Sequence, residues 1–329
     1  MLHQIGVGAL GPVYRTYEPT RDRLVAVKVF RLDITPEQSR SLADELATAA
    51  DAGLFHPSVV EPIASGVEGT LAYRAEEYVA AETLDVAMRH YAPAPAEKML
   101  PFITQLAGAV DFARAAGVGH GALHPRDVFL TPDEARATGF GVVEALERVG
   151  LRAPVRRPYS APERVAGQAW STPADVFSLG VIGYEMLTGR RPAGTGVQIG
   201  ALSGAHADAL HAVLARAMDE DPSKRFPTAL AFAEALDAAS RGEAPAGFVA
   251  GSALVDAGPA AEPSPRVATG PVLREDTPEF DDVAAERDDD HAHFALAREE
   301  TAREEATAGE ELFNVEAIED FAIEEPPRL

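Results

Sequence analysis

The hydrophobic and polar positions of the first 240 residues follow two different patterns. Near the N-terminus, residues 13–17 and 24–30 are short apolar segments bounded by turn residues, which predicts strands. The segment that follows Pro36, residues 37–52, predicts a helix. The chain therefore begins with strands and one helix.

Farther along, apolar residues recur every three or four positions, which predicts helices with one buried face. The residues that define these faces are Ile103, Leu106, Val110 and Ala113 in one segment, Leu179, Ile182 and Met186 in a second, and Leu210, Val213, Leu214 and Ala217 in a third. Strands with one helix followed by mostly helices predict an α+β protein with two unlike lobes. We expect these lobes at residues 1–79 and 80–240.

After residue 240 the pattern changes, and we expect residues 241–329 to form a disordered acidic tail. Residues 241–280 are rich in Ala, Gly, Pro and Ser, as in a linker. Residues 281–311 are dominated by charged residues and Ala. Residues 312–323 mix aromatic and aliphatic groups with acids, which predicts either a short peptide that docks onto a partner or a mildly adhesive end.

Composition and charge narrow the function classes. The chain has 329 residues, 46% of them hydrophobic, and it has no cysteine, which excludes disulfides and thiolate metal sites. After Ser240 lie 23 of the 52 acidic and 7 of the 29 basic residues, so that segment carries a net charge of −16. This charge argues against nucleic acid and anionic membranes as partners. With no signal peptide or membrane span visible, we expect a cytoplasmic protein.

The first candidate chemistry is a glycine pattern at Gly6, Gly8 and Gly11. Glycines let a backbone turn approach a phosphate closely, but this pattern alone is a weak signal. In a dinucleotide-binding unit a helix would follow it. Here a predicted strand follows, so the glycines lie between two strands.

Further motifs follow in order. They are Val25-Ala26-Val27-Lys28, Glu45 in the predicted helix, His56-Pro57, Glu77-Tyr78-Val79, Ala161-Pro162-Glu163, the segment from Asp175 to Gly180, and the segment from Asp221 to Arg225. With these residues the chain resembles the bacterial eukaryotic-like (Hanks-type) Ser/Thr protein kinases over residues 1–240. The resemblance implies a two-lobed kinase-like fold, with a small β-rich lobe and a larger helical lobe.

The resemblance also implies an ATP cleft. Its candidate residues are Gly6, Gly8, Gly11, Val13, Ala26, Lys28, Glu45, Glu77, Val79 and Phe129. Lys28 and Glu45 would form an ion pair, with either a phosphate-binding or a purely structural role. Glu76 would line the back of the cleft and pair with Lys28 in place of a phosphate, and Phe129 would crowd the adenine. We therefore expect weak or absent ATP binding.

The departures from the family lie at the catalytic positions. Ala122 stands where the catalytic Asp belongs and has no proton acceptor. His124 stands in place of a phosphate-binding Lys, and Gly139 replaces the metal-binding Asp. Asp127 is the one retained oxygen ligand and a weak metal candidate, so we expect no Mg²⁺ site. Gly121 replaces an activation-loop clamp, and Arg156 stands where a bridging Thr is usual.

Structural residues of the family are retained. His120, Phe140 and Asp175 would stack through the core, and Glu163 would pair with Arg225. A kept fold with lost chemistry predicts a pseudokinase that acts as a scaffold or regulator for a protein partner, such as an active kinase or another signalling protein. The alternatives are an active Ser/Thr kinase that uses Lys28, His124 and Asp127, and a sensor that binds ATP without metal.

A basic cluster in the activation segment, the stretch between Gly141 and Pro158, completes the candidates. Arg152, Arg156 and Arg157 lie close together in the sequence. Such charges are usually solvated at a surface, and the sharper hypothesis is that they attract the acidic tail or an acidic surface of a partner.

Overall fold

A computed structural model of the chain describes residues 3–243. The predictions for residues 241–329, namely the linker, the acidic segment and the docking peptide, lie outside these residues apart from positions 241–243. In the described part of the chain, no helix is both long enough and apolar enough to cross a membrane.

The small lobe is built on a five-stranded antiparallel sheet of order β1-β2-β3-β5-β4. Its strands are β1 (His3–Gly8), β2 (Gly11–Glu18), β3 (Arg23–Val29), β4 (Pro62–Glu68) and β5 (Leu71–Glu77). The two strands predicted from sequence are confirmed as β2 and β3. Gly11 has a φ of +137°, and a Cβ there would lie 2.2 Å from the carbonyl oxygen of Val29, so only glycine fits this position.

The predicted helix is confirmed as α1 (Pro36–Ala50). Its start is set by a capping box, in which the Thr35 hydroxyl accepts from the backbone nitrogen of Gln38 and the Gln38 side chain accepts from the backbone nitrogen of Thr35. Leu42 and Leu46 lie fully buried on its inner face. The amphipathic pattern of this segment therefore anchors α1 to the sheet.

The large lobe is mostly helical, as predicted. Its elements are β6 (Glu82–Thr83), α2 (Leu84–Tyr91), α3 (Ala96–Ala115), β7 (Val128–Leu130), β8 (Ala135–Ala137), α4 (Val142–Arg148), α5 (Pro162–Val165), α6 (Thr172–Thr188), α7 (Ala207–Ala217) and α8 (Ala229–Ser240), with short 3-10 helices at Pro125–Asp127, Gly196–Gln198 and Pro222–Lys224. Strands β6, β7 and β8 form a small antiparallel sheet. The apolar faces predicted on α3, α6 and α7 are all buried in one hydrophobic core.

Helix α4 follows β8 in the chain but packs into the core of the small lobe. Val142, Ala145 and Leu146 lie in the same buried cluster as Phe30 and Leu42. The side chain of Leu146 is fully buried. This helix therefore fills space beside α1, which decides several contacts of the site below.

Candidate functional site

The predicted column through the large lobe is present. The imidazole of His120 is buried and meets the ring of Phe140 edge-on, with 5.2 Å between centroids. The backbone nitrogens of His120 and Gly121 donate to the carboxylate of Asp175, at 3.2 and 2.8 Å. Burial lowers the pKa of His120. His120 is therefore a neutral core residue that holds the catalytic loop, residues 117–130, in position, and its ring is not placed to act as a base.

Trp170 covers this loop, a contact that sequence reasoning missed. Its indole nitrogen donates to Asp175 at 2.7 Å. A Cβ added at Gly119 would lie 2.0 Å from the indole, and one added at Gly121 would lie 3.0 Å from it. The two glycines therefore leave the space in which Trp170 lies, at the position where the family would carry an arginine side chain. In the sequence, the single tryptophan of the chain and two glycines two positions apart were the features that could have indicated this contact.

The side chain of Arg156 extends from the activation segment to the catalytic loop, where it contacts Ala122 and Asp127. Its Nη2 atom donates to the carbonyl oxygen of Ala122 at 3.0 Å and lies 2.7 Å from Oδ2 of Asp127. Ala122 is buried and offers only a methyl group. A guanidinium from the activation segment thus lies beside the position where a base would meet the substrate hydroxyl.

Asp127 is ionised and already paired. Burial alone would raise the pKa of this carboxyl, but the charge of Arg156, with smaller contributions from His120 and Lys28, holds the pKa below its usual value. The negative charge is therefore matched by a side chain of the same chain, and little of it is left to attract an external cation.

These residues do not fit a Mg²⁺ site. Gly139 has a φ of +92° and no side chain to offer a metal. Among residues 3–243, no group of three His, Asp or Glu side chains is placed to hold a metal ion. Mg²⁺ requires several oxygen ligands in octahedral geometry. One carboxylate that is bound to arginine, with a glycine at the second ligand position, does not supply them.

His124 carries no charge at neutral pH. Its Nδ1 atom accepts from the backbone nitrogen of Arg126 at 3.0 Å, and its ring lies 4.4 Å from that of Tyr159. Burial and the nearby charge of Arg156 lower the pKa of His124 to about 4. The position of the phosphate-binding lysine is therefore electrically neutral, in agreement with the sequence interpretation.

The predicted cleft residues lie on the expected elements. Gly6, Gly8, Gly11 and Val13 lie in the β1–β2 hairpin, Ala26 and Lys28 in β3, Glu77 at the end of β5, Val79 just beyond it, and Phe129 in β7. In the sheet, Lys28 of β3 is paired in register with Val13 of β2 and with Arg74 of β5. The carboxylate of Glu77 is paired with Arg136, which holds the pKa of Glu77 below its usual value.

The predicted Lys28–Glu45 ion pair is wrong. Oε2 of Glu45 lies 2.8 Å from Nη1 of Arg148 in α4. Because α4 packs beside α1, Arg148 reaches this carboxylate and Lys28 does not. Within residues 3–243, Lys28 forms no ion pair.

The predicted contact between Glu76 and Lys28 is wrong as well. Oε1 of Glu76 lies 2.9 Å from Nε of Arg74, and Oε2 accepts from the hydroxyl of Thr138. Arg74 is 1% exposed and donates to the carbonyl oxygen of Phe140 at 2.7 Å. Sequence reasoning missed Arg74, although opposite charges two positions apart on one strand face were a signal.

The buried pair of the large lobe is confirmed. Arg225 donates to both carboxylate oxygens of Glu163, at 2.7 and 2.8 Å. In the activation segment, the basic cluster divides, because Arg156 points inward while Arg152 and Arg157 are exposed. The cluster that remains at the surface is therefore smaller than the sequence suggested.

A five-stranded small lobe with one helix, joined to a helical lobe that carries this loop, defines the protein kinase fold. The family model for the protein kinase domain matches residues 1–235. The chain therefore belongs to the protein kinase family, and its relatives place it with the bacterial Hanks-type Ser/Thr kinases.

Among curated proteins, the chain is 30% identical to the serine/threonine-protein kinase PknJ of Mycobacterium tuberculosis, over 74% of this chain and 46% of PknJ. It is 31% identical to PknA of the same organism, over 57% of this chain and 46% of PknA. A probable serine/threonine-protein kinase of Clostridium acetobutylicum is 28% identical over 57% of this chain and 30% of its own length. The chain thus spans less than half the length of these curated relatives.

Among solved structures, the kinase domain of M. tuberculosis PknI superposes with a TM-score of 0.58 and 26% identity. This similarity covers 72% of the present chain and 94% of the PknI chain. The small and large lobes described above are therefore those of a bacterial kinase domain.

Proposed function

We propose that this domain is a pseudokinase, a kinase homologue that transfers no phosphate and acts as a scaffold or regulator. The observation that carries the proposal is the position of Arg156, which binds Asp127 and the carbonyl oxygen of Ala122. The chain fills its own catalytic centre with a positive side chain where phosphate transfer needs a base and a metal.

The missing groups account for large factors in rate. A positioned general base contributes roughly 10²–10⁴-fold to a rate. At Ala122 the side chain is a methyl group, and both nearby imidazoles are engaged with the backbone: Nε2 of His120 hydrogen-bonds to the carbonyl oxygen of Thr138, and Nδ1 of His124 accepts from the backbone nitrogen of Arg126. Without a metal site, the charge that develops on a transferred phosphoryl group would also lack its main counterion.

Weak ATP binding is part of the proposal. The back of the cleft holds Glu76, a buried carboxylate whose partners are Arg74 and Thr138. Lys28 has no carboxylate partner among the described residues, so it is the group that favours any residual binding of an anion. Such binding would not depend on Mg²⁺, because the oxygen ligands for the metal are missing.

A protein partner, an active kinase or another signalling protein, is the proposed target of the domain. The support is that side chains that stabilise the fold, such as the Glu163–Arg225 pair, are intact while the catalytic ones are replaced. The relatives are named as serine/threonine-protein kinases, which suggests a setting of phosphorylation signalling. The cytoplasmic location expected from the sequence stays a prediction.

Phosphate transfer from γ-labelled ATP tests the proposal. The full chain is incubated with itself and with a generic protein substrate, in Mg²⁺ and in Mn²⁺, beside the Lys28→Met variant and an active bacterial kinase. We expect no incorporation above that of Lys28→Met. Incorporation that disappears in Lys28→Met would mean an active enzyme, and the pseudokinase assignment would be wrong.

The same preparations show whether nucleotide binds. A ligand that binds only the folded state raises the melting temperature according to its concentration and dissociation constant. We expect ATP to give little or no shift, with no further shift on addition of Mg²⁺. A large shift that requires Mg²⁺ would contradict the account of the cleft given above.

A further inference from the structure

Two opposite charges are buried behind the cleft. The side chains of Arg74 and Glu76 are 1% and 10% exposed, and both belong to β5. Burial of charges is costly unless each is paired and hydrogen-bonded. Arg74 and Glu76 form an ion pair with each other, and each is hydrogen-bonded to a group from outside the small-lobe sheet: Arg74 donates to the Phe140 carbonyl oxygen, and Glu76 accepts from the Thr138 hydroxyl.

Those two groups belong to a segment that is tied to the large lobe. The backbone nitrogen of Thr138 donates to the carbonyl oxygen of Asp127 at 2.8 Å. The His120 ring hydrogen-bonds to the carbonyl oxygen of Thr138 at 2.9 Å. The backbone nitrogen of Gly141 donates to the carbonyl oxygen of Gly119 at 2.8 Å. The contacts of Arg74 and Glu76 therefore join β5 to the catalytic loop through this segment.

The same segment leads directly into α4. This helix begins at Val142, two residues after the carbonyl that Arg74 holds, and its apolar face enters the small-lobe core. Its last residue, Arg148, forms an ion pair with the carboxylate of Glu45. A fixed position of Phe140 therefore favours the placement of α4 in which Arg148, and not Lys28, pairs with Glu45.

We propose that Arg74, Glu76 and Thr138 form a buried latch that holds the two lobes in one arrangement. In this arrangement the side chains of the protein fix the two lobes relative to each other, and no bound nucleotide or metal is needed. A purely local ion pair within β5 would not require the contacts to Thr138 and Phe140. The latch does not depend on whether the domain transfers phosphate. The latch proposal and the pseudokinase proposal can therefore fail independently of each other.

The distance between the lobes tests the latch. Because the chain has no cysteine, two introduced cysteines, Glu68→Cys in the small lobe and Glu234→Cys on α8, would be the only labelling sites. Both glutamates are exposed. Double electron–electron resonance between spin labels attached to the two cysteines then gives the distribution of interlobe distances. We expect one narrow distribution, unchanged by ATP with Mg²⁺.

The test variant is Arg74→Met/Glu76→Met, which removes both charges at once. Removing one charge would leave the other buried and unpaired, whereas replacing both by apolar groups of similar size is tolerated in many proteins. We expect a broader or shifted distance distribution. The matched control is Glu18→Met/Arg23→Met, which removes an ion pair of 2.6 Å within the small lobe and should leave the distribution unchanged.

Thr138→Val keeps the test decisive if the double variant does not fold. This near-isosteric change removes one hydrogen bond of the latch and no charge. We expect backbone amides of residues 140–146 to exchange with deuterium on the order of tenfold faster than in the native chain. Unchanged exchange in Thr138→Val, or an unchanged distance distribution in a folded double variant, would overturn the latch.

Discussion

Arg156 shows how one residue can change the character of a site. It reaches Asp127 and the Ala122 carbonyl oxygen from the activation segment, 34 positions away in sequence from Ala122. Because its guanidinium is always charged, it acts as a permanent counterion at this place. The carboxylate that could have helped to bind a metal is instead part of an internal ion pair.

His124 carries a prediction at the same scale. Its pKa of about 4 in the folded state lies below the value of about 6.5 for an unperturbed histidine, so the folded protein favours the neutral ring. The stability that this residue contributes is fully present above pH ~6.5 and is lost as the pH falls from there towards ~4. The stability of the native domain should therefore decrease across this window.

The variant His124→Asn keeps an acceptor for the Arg126 amide and removes the titrating ring. We expect its urea midpoint to fall less than that of the native chain between pH 7 and pH 5. NMR titration of the native chain should place the His124 ring near pKa 4. A ring midpoint near 6.5 would contradict the prediction, because it would show that burial and Arg156 do not act on this imidazole.

Among the elements, α4 has the largest effect on the site. It places Leu146 in the small-lobe core and Arg148 against Glu45. Gly141, just before the helix, has a φ of +80°, and a Cβ there would lie 2.5 Å from Cβ of Ala49 in α1. The two helices can therefore approach this closely only because position 141 has no side chain.

The prediction for this contact compares two glycines. Gly150 has a similar φ of +78° but no atom within 4 Å of an added Cβ. We expect Gly150→Ala to cost about 1–2 kcal/mol for the left-handed backbone alone. Gly141→Ala should cost this and roughly 1–3 kcal/mol more from overpacking.

Urea unfolding of the two variants measures the difference. Adding Ala49→Gly to Gly141→Ala should recover part of the extra cost, since it removes the atom that clashes. Equal costs for Gly141→Ala and Gly150→Ala would mean that α1 and α4 do not meet as described.

At the scale of the whole molecule, the Glu163–Arg225 pair joins segments 62 residues apart. The side chain of Arg225 is fully buried. Its guanidinium also donates to the carbonyl oxygens of Pro173 and Asp219 and lies over the ring of Phe177. One guanidinium thus connects α5, α6 and the turn before α8. Its removal should affect the fold of the entire large lobe.

We expect Arg225→Met to lower the free energy of unfolding by about 3–5 kcal/mol, because Glu163 would be left buried and unpaired. The control is the neighbouring variant Lys224→Met. Lys224 is exposed, and its ion pair with Asp221 is weak because the two charged atoms lie 4.0 Å apart. Its cost should be below about 0.5–1 kcal/mol. Denaturant unfolding of both variants checks this, and similar midpoints would contradict the role given to Arg225.

The sequence by itself determined the elements and the chemistry of single positions. Strand and helix periods are local properties, so β2, β3, α1 and the buried faces of α3, α6 and α7 could be predicted from them. The absence of a base at Ala122 and of a ligand at Gly139 needed only the motif positions and the residue types.

Only the tertiary structure decided the partners of Glu45 and Glu76. Glu45 pairs with Arg148, 103 positions away, in place of Lys28, and Glu76 accepts a hydrogen bond from Thr138, 62 positions away. The packing of α4 against α1 placed Arg148 beside Glu45, and the segment before α4 placed Thr138 beside Glu76. Pairing between distant elements depends on where buried surfaces place the backbone, which no local pattern specifies.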